Sequence, residues 1–271
     1  MNGAKILSIA AERPAKTMSN DELPGKFDID DAWIQSRTGI ATRGVANDEE
    51  TLIEMSAGAA SKAIAAAGID PATIDLTIVA TSSNPITTPG IAPPLTNRLS
   101  LTSGAFDIMA ACAGFCYSLN VAADSIRAGS ARNVLVVGAE RITDRMDWND
   151  RNTCYLFGDG AGAAIVAATD VEDDGIGPVV WGSDGALADY IAQPIDSPYL
   201  QMDGQAVFKW AITEVAGIAR EACEKAGIEP KDLAAFVPHQ ANLRIVESVA
   251  RSLGVGESTV VADDVRYSGN T

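Results

Sequence analysis

The chain has 271 residues, of which 47% are hydrophobic and 21% charged, and its 20 basic and 36 acidic side chains give a net charge of −16. This composition is typical of a globular protein and excludes a disordered, collagen-like or coiled-coil chain. No apolar segment approaches the roughly 20 residues of a membrane-spanning helix, and the first residues do not resemble a signal peptide. We therefore expect a cytoplasmic protein with no membrane contact. The acidic excess argues against nucleic-acid binding, because phosphate contacts need a basic surface.

Four cysteines and a single histidine limit the chemistry that this chain can perform. Four cysteines in a chain of this length, without a secretory signal, argue against a disulfide framework. The spacing of Cys112 and Cys116 is a poor zinc signature in a chain with one histidine, so we expect no metal site. Any Cys–His or Ser–His chemistry must use His239, and mechanisms that need two histidines are excluded.

Segments with helical and strand periodicity alternate along the chain, which indicates an α/β protein. The N-terminal segment predicts a first strand. Thr51 and Glu54 form a plausible capping box for a helix that ends at Ala67 before Gly68. Further strands are predicted at 74–81, 105–109, 133–137, 164–168, 235–238 and 258–262, and further helices at 112–128, 208–226 and 243–253. The apolar run at 133–137 is typical of a strand that is covered on both faces.

A short motif occurs twice, at residues 67–74 and 226–233. In both copies a helix ends on glycine, makes an Ile-acid-Pro turn and enters an apolar strand. Chance can produce one such match, because this turn chemistry is common. The other interpretation is two similar α/β halves, at residues 1–170 and 171–271. Functional groups in such sheets collect beyond the carboxyl ends of the strands, which is where the second copy places His239.

Cys112 follows a predicted strand and stands where the next helix begins, with small residues on both sides. Free backbone amides and the helix dipole are expected to lower the pKa of its thiol and favour the nucleophilic thiolate. The small neighbours permit the sharp strand-to-helix turn that would expose it. The alternative is a buried structural cysteine, which is our interpretation of Cys116, Cys154 and Cys223.

His239 and Asn270 are weaker signals when taken alone. A lone histidine is more often a satisfied polar residue than a catalyst, although Asn242 and Arg244 one turn further on favour a function. The Gly-Asn pair that contains Asn270 is by itself the signature of a turn. The glycine-rich run at 157–163 has Gly-x-Gly-x-Gly spacing and precedes a strand, which favours a tight turn over a nucleotide-binding loop.

Together these motifs resemble the β-ketoacyl-[acyl-carrier-protein] synthase III family. Six blocks carry the resemblance in order and spacing, at residues 31–40, 111–115, 157–163, 202–208, 238–245 and 269–271. The resemblance implies a thiolase-like fold with five α-β-α-β-α layers from two pseudo-duplicated halves, and a homodimer. The family continues after the last block with a helix and two strands, so we expect the C-terminal half to be truncated here.

The resemblance also implies roles for individual residues. The catalytic triad is matched by Cys112, as the acylated nucleophile, with His239 and Asn270. The coenzyme A site is matched by residues that hold the adenine or line the path of the pantetheine arm: Trp33, Arg37, Arg151, Gly204, Phe208 and Asn242. The segment that contacts the acyl carrier protein is matched by Gln240, Ala241, Asn242, Leu243 and Arg244.

The implied reaction is the decarboxylative condensation of an acyl-CoA starter with malonyl-[acyl-carrier protein], which initiates fatty-acid synthesis. No cofactor is bound permanently, since coenzyme A enters as the thioester substrate. The alternatives are an acyltransferase or polyketide-priming enzyme of secondary metabolism, and a non-catalytic partner subunit or fragment. Thr87-Thr88-Pro89 stands where some members of the family carry a bulky phenylalanine, which predicts room for a starter longer than acetyl.

Overall fold

The computed structural model describes residues 2–24 and 27–271. Its strands and helices are, in chain order, β1 (Gly3–Glu12), β2 (Thr17–Ser19), α1 (Asp31–Thr38), β3 (Thr42–Gly44), α2 (Leu52–Ala67), β4 (Leu76–Ala80), α3 (Ala92–Arg98), β5 (Gly104–Ile108), α4 (Gly114–Arg127), β6 (Asn133–Arg141), β7 (Asp159–Thr169), β8 (Ile191–Ala192), β9 (Gln201–Met202), α5 (Gly204–Ala226), β10 (Ala235–Phe236), α6 (Leu243–Leu253), β11 (Val260–Val261) and α7 (Val265–Ser268). The mixture confirms the predicted α/β class. Within the described ranges, no helix is both long enough and apolar enough to cross a membrane.

The chain divides into two compact units, each assembled from three segments. The first unit contains residues 1–16, 46–141 and 159–177, and the second contains residues 17–45, 142–158 and 178–271. Both units therefore take segments from the predicted N-terminal half. The division into halves at residue 170 concerns duplication rather than compactness, and it stays a prediction.

The first unit is built on a mixed five-stranded sheet in the order β1-β7-β6-β4-β5. β4 runs parallel to both β5 and β6, whereas β7 is antiparallel to both β6 and β1. Parallel neighbours need crossover connections, and the helices α3 and α4 supply them. The edge strand β5 ends a few residues before Cys112, so the sheet determines where that cysteine begins its turn.

Both faces of this sheet are covered by apolar clusters. Leu135 and Val137 pack in the cluster that contains the buried face of α2, and Val134 and Val136 pack in the cluster that contains α4. The four side chains are fully buried. The prediction of a strand covered on both faces is confirmed, because successive side chains of β6 point to opposite sides of the sheet.

The first of these helices has the predicted caps. The hydroxyl of Thr51 accepts a hydrogen bond from the backbone N–H of Glu54 at 3.2 Å, and Gly68 ends α2 with a φ of 66°. The Glu54 carboxylate binds Arg98 instead of completing the capping box. The N-terminal cap and the glycine stop are thus confirmed by their geometry.

The second unit is held together by short elements around one apolar cluster. This cluster contains Ile34 of α1, Leu243 of α6, Val265 of α7 and the buried residues 154–157. Gly39, which ends α1 with a φ of 76°, lies so close to α6 that an added Cβ would come within 2.5 Å of the Leu243 side chain. In the described residues the parallel pairing of this unit consists of β10 with β11 and an isolated bridge between Phe157 and Asn270.

The repeated motif has the same local structure in both copies. Gly68 and Gly227 end their helices in the left-handed conformation, with φ values of 66° and 69°. A 3₁₀ turn follows in each case, at Pro71–Thr73 and Pro230–Asp232, and then a strand begins. The turn interpretation of the motif is confirmed in both units.

For the glycine-rich run at 157–163, the prediction of a tight turn is wrong over most of its length. From Asp159 onward the run belongs to β7, where Gly160 and Gly162 face residues of β6 across the sheet. The irregular segment lies before the run, at residues 151–156.

Candidate active site

Cys112 stands on a strained turn in the first unit. Ala111 has a φ of 44°, in the left-handed region that an alanine seldom adopts. A single 3₁₀ turn, Ala111–Ala113, then leads directly into α4. Gly114 is needed there, because an added Cβ would lie 3.0 Å from the Cβ of Ala80 in β4. The predicted sharp strand-to-helix turn is confirmed, and backbone strain of this kind is concentrated at functional sites.

The expected lowering of the Cys112 pKa is not found. Desolvation by the surrounding protein raises the pKa of the thiol, and the negative charge of Glu140 raises it further. A hydrogen bond from a backbone N–H opposes both effects but does not outweigh them. Cys112 nevertheless remains exposed. Cys112 lies near the start of a helix, as predicted. Its pKa is raised rather than lowered, because desolvation disfavours the thiolate.

Glu140 is a residue near this cysteine that the sequence patterns missed. Its carboxylate accepts hydrogen bonds from the backbone N–H of Ser82 at 2.7 Å and from the hydroxyl of Ser83 at 2.5 Å. The Ser83 hydroxyl in turn accepts from the backbone N–H of Arg141. The predicted strand ends at Val137, whereas β6 continues to Arg141. A longer predicted strand would have placed the Glu140 carboxylate at its carboxyl end, where functional groups are expected.

The other three cysteines do not share one environment. Cys154 is fully buried, and burial raises the pKa of its thiol to about 11. Cys116 is exposed and Cys223 is half-buried. The prediction of a core position is therefore confirmed for Cys154 and wrong for Cys116, which lies on the solvent side of the first turn of α4.

Trp33 is the centre of an aromatic and cationic group in the second unit. The guanidinium carbons of Arg37 and Arg151 lie 5.3 Å and 5.4 Å from the centroid of the Trp33 ring. Tyr155 meets the same ring edge-on, with centroids 5.7 Å apart and an interplanar angle of 85°. The side chain of Asp30 caps α1 at the backbone N–H of Trp33. Trp33 and Arg151, which match the positions that hold an adenine, are thus brought together, with Arg37 beside them.

The arrangement sets a condition for adenine binding. A flat base between two planar groups needs about 7 Å, which is two van der Waals separations. Arg151 lies closer to Trp33 than that, so its exposed side chain has to move outward by roughly 2 Å to admit a base. Such a movement is easy for a long side chain at the surface.

Most of the segment 240–244 is engaged in its own fold. The Gln240 side-chain amide donates to the carbonyls of Pro238 and Ala262 and accepts from the backbone N–H of Val265. Asn242 caps α6 by accepting from the N–H of Arg244, and its amide nitrogen donates to the carbonyl of Arg37 at 3.2 Å. These contacts give Gln240 and Asn242 a structural role that the predicted binding roles did not include.

Within the same segment the exposure of the side chains differs. Leu243 is buried in the core and does not offer its side chain to a partner, whereas Arg244 is exposed and Ala241 is half-buried. The guanidinium carbon of Arg244 lies 5.3 Å from the ring centroid of Phe208. Gly204 begins the helix that carries Phe208, and Asp203 caps it. Of the residues predicted to contact a carrier protein, Arg244 is thus the one with an exposed side chain.

Asn270 is held by its backbone against residues 156–158. Its N–H donates to the Leu156 carbonyl at 2.8 Å, and its carbonyl accepts from the N–H of Gly158 at 3.0 Å. An added Cβ on Gly158 would lie 2.1 Å from the carbonyl oxygen of Ser268, and Gly269 has a φ of 70°. These two glycines allow the close approach that places Asn270.

His239 lies between β10 and α6 and is exposed. Desolvation lowers the pKa of its imidazole, which favours the neutral form at pH 7. A neutral imidazole has one N–H donor and one acceptor nitrogen. The predicted position of the lone histidine after a strand and before a helix is confirmed.

The candidate residues are distributed over both units. Cys112 and Glu140 belong to the first unit, and His239, Asn270 and the Trp33 group belong to the second. In the described part of the chain, no group of three or more His, Cys, Asp or Glu residues is arranged to hold a metal ion.

Comparison with known proteins identifies the family. The family model described as 3-oxoacyl-[acyl-carrier-protein] synthase III matches residues 106–185, and the model of its C-terminal part matches residues 223–271. The β-ketoacyl-[acyl-carrier-protein] synthase III 4 of Streptomyces coelicolor is 45% identical over 271 residues, which cover 99% of this chain and 85% of the relative.

Two solved structures are similar over almost the whole chain. The priming β-ketosynthase of a polyketide biosynthetic pathway has a TM-score of 0.95 and 43% identity, covering 99% of this chain and 84% of the other. The 3-oxoacyl-[acyl-carrier-protein] synthase III of Aquifex aeolicus has a TM-score of 0.92 and 37% identity, covering 99% and 86%. The predicted thiolase-like fold is thereby confirmed, and the chain belongs to the β-ketoacyl-[acyl-carrier-protein] synthase III family of condensing acyltransferases.

Proposed function

We propose that this enzyme condenses an acyl-CoA starter with malonyl-[acyl-carrier protein] and so initiates fatty-acid synthesis. The observation that carries the proposal is the left-handed Ala111, which turns the chain sharply at Cys112 and leaves that cysteine exposed at the start of α4. A nucleophile on a strained strand-to-helix turn is suited to acyl transfer, because a substrate carbonyl can approach its side chain.

The first step transfers the acyl group to Cys112. The thiolate attacks the thioester carbonyl, backbone N–H groups stabilise the oxyanion, and the carbon–sulfur bond to coenzyme A breaks. The thiol proton of Cys112 passes to the departing coenzyme A thiolate. The raised thiol pKa makes the resting thiol the major form at neutral pH, so proton removal accompanies the attack.

The second step forms the new carbon–carbon bond. Malonyl-[acyl-carrier protein] loses CO₂, and its enolate carbon attacks the acyl group on Cys112 to give the 3-oxoacyl product and the Cys112 thiolate, which takes one proton. In this proposal the neutral imidazole of His239 and the side-chain amide of Asn270 donate hydrogen bonds to the thioester oxygen of the enolate. The lowered pKa of His239 supports this role, because the neutral ring keeps a donor and carries no charge that must be desolvated.

Substrate binding is proposed for the second unit. Trp33, Arg37 and Arg151 would hold the adenine of coenzyme A, with the half-buried Phe208 and Gly204 near the pantetheine arm. Arg244 is exposed and lies at the N-terminal turn of α6, and Arg251 follows two turns later on the same face of this helix. Glu247 lies between them on that face, so the stripe carries one net positive charge, which would attract an acidic carrier protein despite the net negative charge of the whole chain.

A homodimer is proposed through the first unit. β5 is an edge strand of the five-stranded sheet, and Phe106 and Met109 at this edge are 40% and 79% exposed. An unpaired, apolar edge strand favours pairing with another strand. The elution volume in size-exclusion chromatography, with light scattering, would distinguish a dimer from a monomer.

The proposed function is tested by intact-protein mass after incubation with acetyl-, isobutyryl- and longer acyl-CoAs, using Cys112→Ser as the matched control. We expect an acyl adduct on the native protein and none on the variant, with the most adduct from a starter longer than acetyl. Release of CO₂ from malonyl-[acyl-carrier protein] by the acylated protein completes the test. The absence of an adduct from every donor would overturn the proposal, and a clear preference for acetyl would overturn the starter prediction alone.

A second candidate is favoured by one comparison. The structure with a TM-score of 0.95 is a priming enzyme of a polyketide pathway. If this chain has that role, the acyl-enzyme will condense with a polyketide carrier protein and poorly with the fatty-acid carrier protein. An adduct that neither carrier protein can accept would instead favour a plain acyltransferase, and no adduct at all is the result expected of a non-catalytic subunit.

A further inference from the structure

Arg43 is a fully buried arginine in the second unit, and among the described residues no carboxylate forms a salt bridge with its guanidinium group, although the charge of Asp31 acts on it without direct contact. Its exposure is 0%, and the groups that accept hydrogen bonds from it are neutral: the Asn20 side chain at 2.5 Å and the carbonyls of Tyr155 and Met18 at 3.0 Å and 3.4 Å. Within the described residues its Nε has no partner. Burial lowers the pKa of Arg43 to about 10, so it stays charged at neutral pH.

Burying a charge without an ion-pair partner costs free energy, so we expect Arg43 to do more than fill space. An apolar side chain of similar volume at such a position is often neutral or stabilising. A guanidinium group differs from it by presenting several N–H donors in one rigid plane. At Arg43 these donors join two pieces of chain that are far apart in sequence, which are residues 18–20 at the end of β2 and residue 155.

One of these pieces carries two features of the candidate site. The ring of Tyr155 meets Trp33 edge-on, and the next residues, Leu156 to Gly158, form both backbone hydrogen bonds to Asn270. The Arg43 side chain also reaches the Asn270 segment itself. Its Cβ lies 3.0 Å from the position of a Cβ on Gly269 and 3.2 Å from that of a Cβ on Gly158.

We propose that Arg43 is a positioning residue that fixes the position of the segment 155–158. It thereby couples the Trp33 group, where coenzyme A is proposed to bind, to the side-chain amide of Asn270. The inference rests on the proposed function, because it takes Trp33 as a binding residue and Asn270 as a catalytic residue. Arg43 itself touches neither substrate. Its role is to hold the Tyr155 carbonyl, so that a shift of this segment moves the aromatic wall and the asparagine together.

The role predicts a specific pattern of defects. In the proposed mechanism, acyl transfer to Cys112 at saturating donor depends on the first unit and does not use Asn270. Binding of acyl-CoA and the condensation step depend on the segment that Arg43 holds. Loss of Arg43 should therefore raise KM for acyl-CoA and lower kcat for condensation, while the saturated rate of acylation stays the same.

The test compares Arg43→Met, which keeps the volume and removes the donors, with Arg43→Lys, which keeps the charge and fewer donors. The control is Arg98→Met, which removes an exposed arginine paired with Glu54 in the first unit. For Arg43→Met we expect condensation kcat to fall at least about tenfold, since small displacements of catalytic groups have effects of this size. KM for acyl-CoA should rise about fivefold, the upper range of an exposed cation–π contact. Arg43→Lys should have a condensation kcat and a KM between those of the native protein and Arg43→Met. Arg98→Met should have the native values of both.

Two results would overturn the inference. One is a folded Arg43→Met protein with unchanged KM and condensation kcat. The other is an equal loss of acylation and condensation that follows the fraction of folded protein by circular dichroism, which is what a merely structural role predicts. If Arg43→Met does not fold, the test is made with Arg43→Lys. The inference then requires a higher KM for acyl-CoA and a lower condensation kcat at an unchanged saturated rate of acylation.

The failure of the proposed function can be recognised separately. A native protein that becomes acylated but condenses with no malonyl carrier protein contradicts the proposed reaction. In that case KM for acyl-CoA in the acylation step still measures the effect of Arg43 on the Trp33 group. An unchanged KM in Arg43→Met would then overturn the inference independently.

Discussion

The two units position their functional residues by different physical means. In the first unit, Cys112 follows the edge of a five-stranded sheet whose two faces are covered by apolar clusters. In the second, the Trp33 group and Asn270 are held by backbone hydrogen bonds, two glycines in close contact and the buried Arg43. The position of Cys112 therefore depends on apolar packing more than on individual hydrogen bonds. The arrangement in the second unit depends on a few specific contacts, so single substitutions in it should affect function more than stability.

The largest expected effect comes from Gly158→Ala in the second unit. The new methyl group would lie 2.1 Å from the Ser268 carbonyl, so the segment of Asn270 must move. We expect condensation to fall about 100-fold, because misplacement by 1 Å has effects of that order, while acylation of Cys112 is retained.

The matched control is Gly217→Ala, on an open face of α5 where no described residue lies within 4 Å of the new methyl group. It should leave both reactions unchanged and stabilise the protein by up to about 1 kcal/mol, because alanine favours a helix over glycine. Normal condensation by Gly158→Ala would contradict the view that these contacts position Asn270.

The difference in packing is tested by the unfolding free energies of Leu135→Ala and Val260→Ala. Leu135 is fully buried in the central strand of the first unit, whereas Val260 in β11 is 68% exposed. We expect a loss of about 2–5 kcal/mol for Leu135→Ala and within about 0.5 kcal/mol for Val260→Ala, measured by urea denaturation. An equal loss at Val260 would mean that this strand is covered in solution.

The Trp33 group predicts an effect on binding alone. Arg151→Ala removes one of the two groups proposed to hold the adenine, and with it a cation–π contact to the base, so we expect KM for acyl-CoA to rise about two- to fivefold with unchanged kcat. Lys225→Ala, an exposed lysine paired with Glu221 on α5, is the control. A fall in kcat at unchanged KM would assign Arg151 to the chemical step instead.

The smallest effect is expected from the charge beside Cys112. The thiol pKa is raised above its ordinary value of 9.0, in part by Glu140, so its alkylation by iodoacetamide should rise with pH through neutrality and up to that pKa. Glu140→Gln removes the negative charge and should lower the pKa, which makes alkylation at pH 7.5 about threefold faster. The alkylation rate of Cys112→Ser measures the contribution of Cys116, which is subtracted from the rate of the native protein. A slower reaction would show that the hydrogen bonds of Glu140 matter more than its charge.

The local structure of this protein was predictable where short-range chemistry decides it. The caps of α2 at Thr51 and Gly68, the two-sided burial of β6 and the turn at Cys112 follow from the residues themselves. The family resemblance, carried by short motifs, agrees with relatives that are 45% identical. Patterns failed at Asp159–Ala163, where glycines that suit a turn lie in a strand because β6 pairs with Gly160 and Gly162 and β1 pairs with Gly162 from the other side.

The sequence by itself predicted the class of the fold and the boundaries of α2, α4 and α6 to within two residues, and its resemblance to the family predicted the residues of the proposed chemistry. Only the tertiary structure decided their environments. The thiol pKa of Cys112 rises because desolvation and Glu140 outweigh the helix start, and Leu243 is buried because α1 ends against it at Gly39. Arg43 has no local signature, since its partners Asn20 and Tyr155 are 23 and 112 residues away. Periodicity and capping are properties of neighbouring residues, whereas desolvation and buried hydrogen bonds depend on segments that only folding brings together.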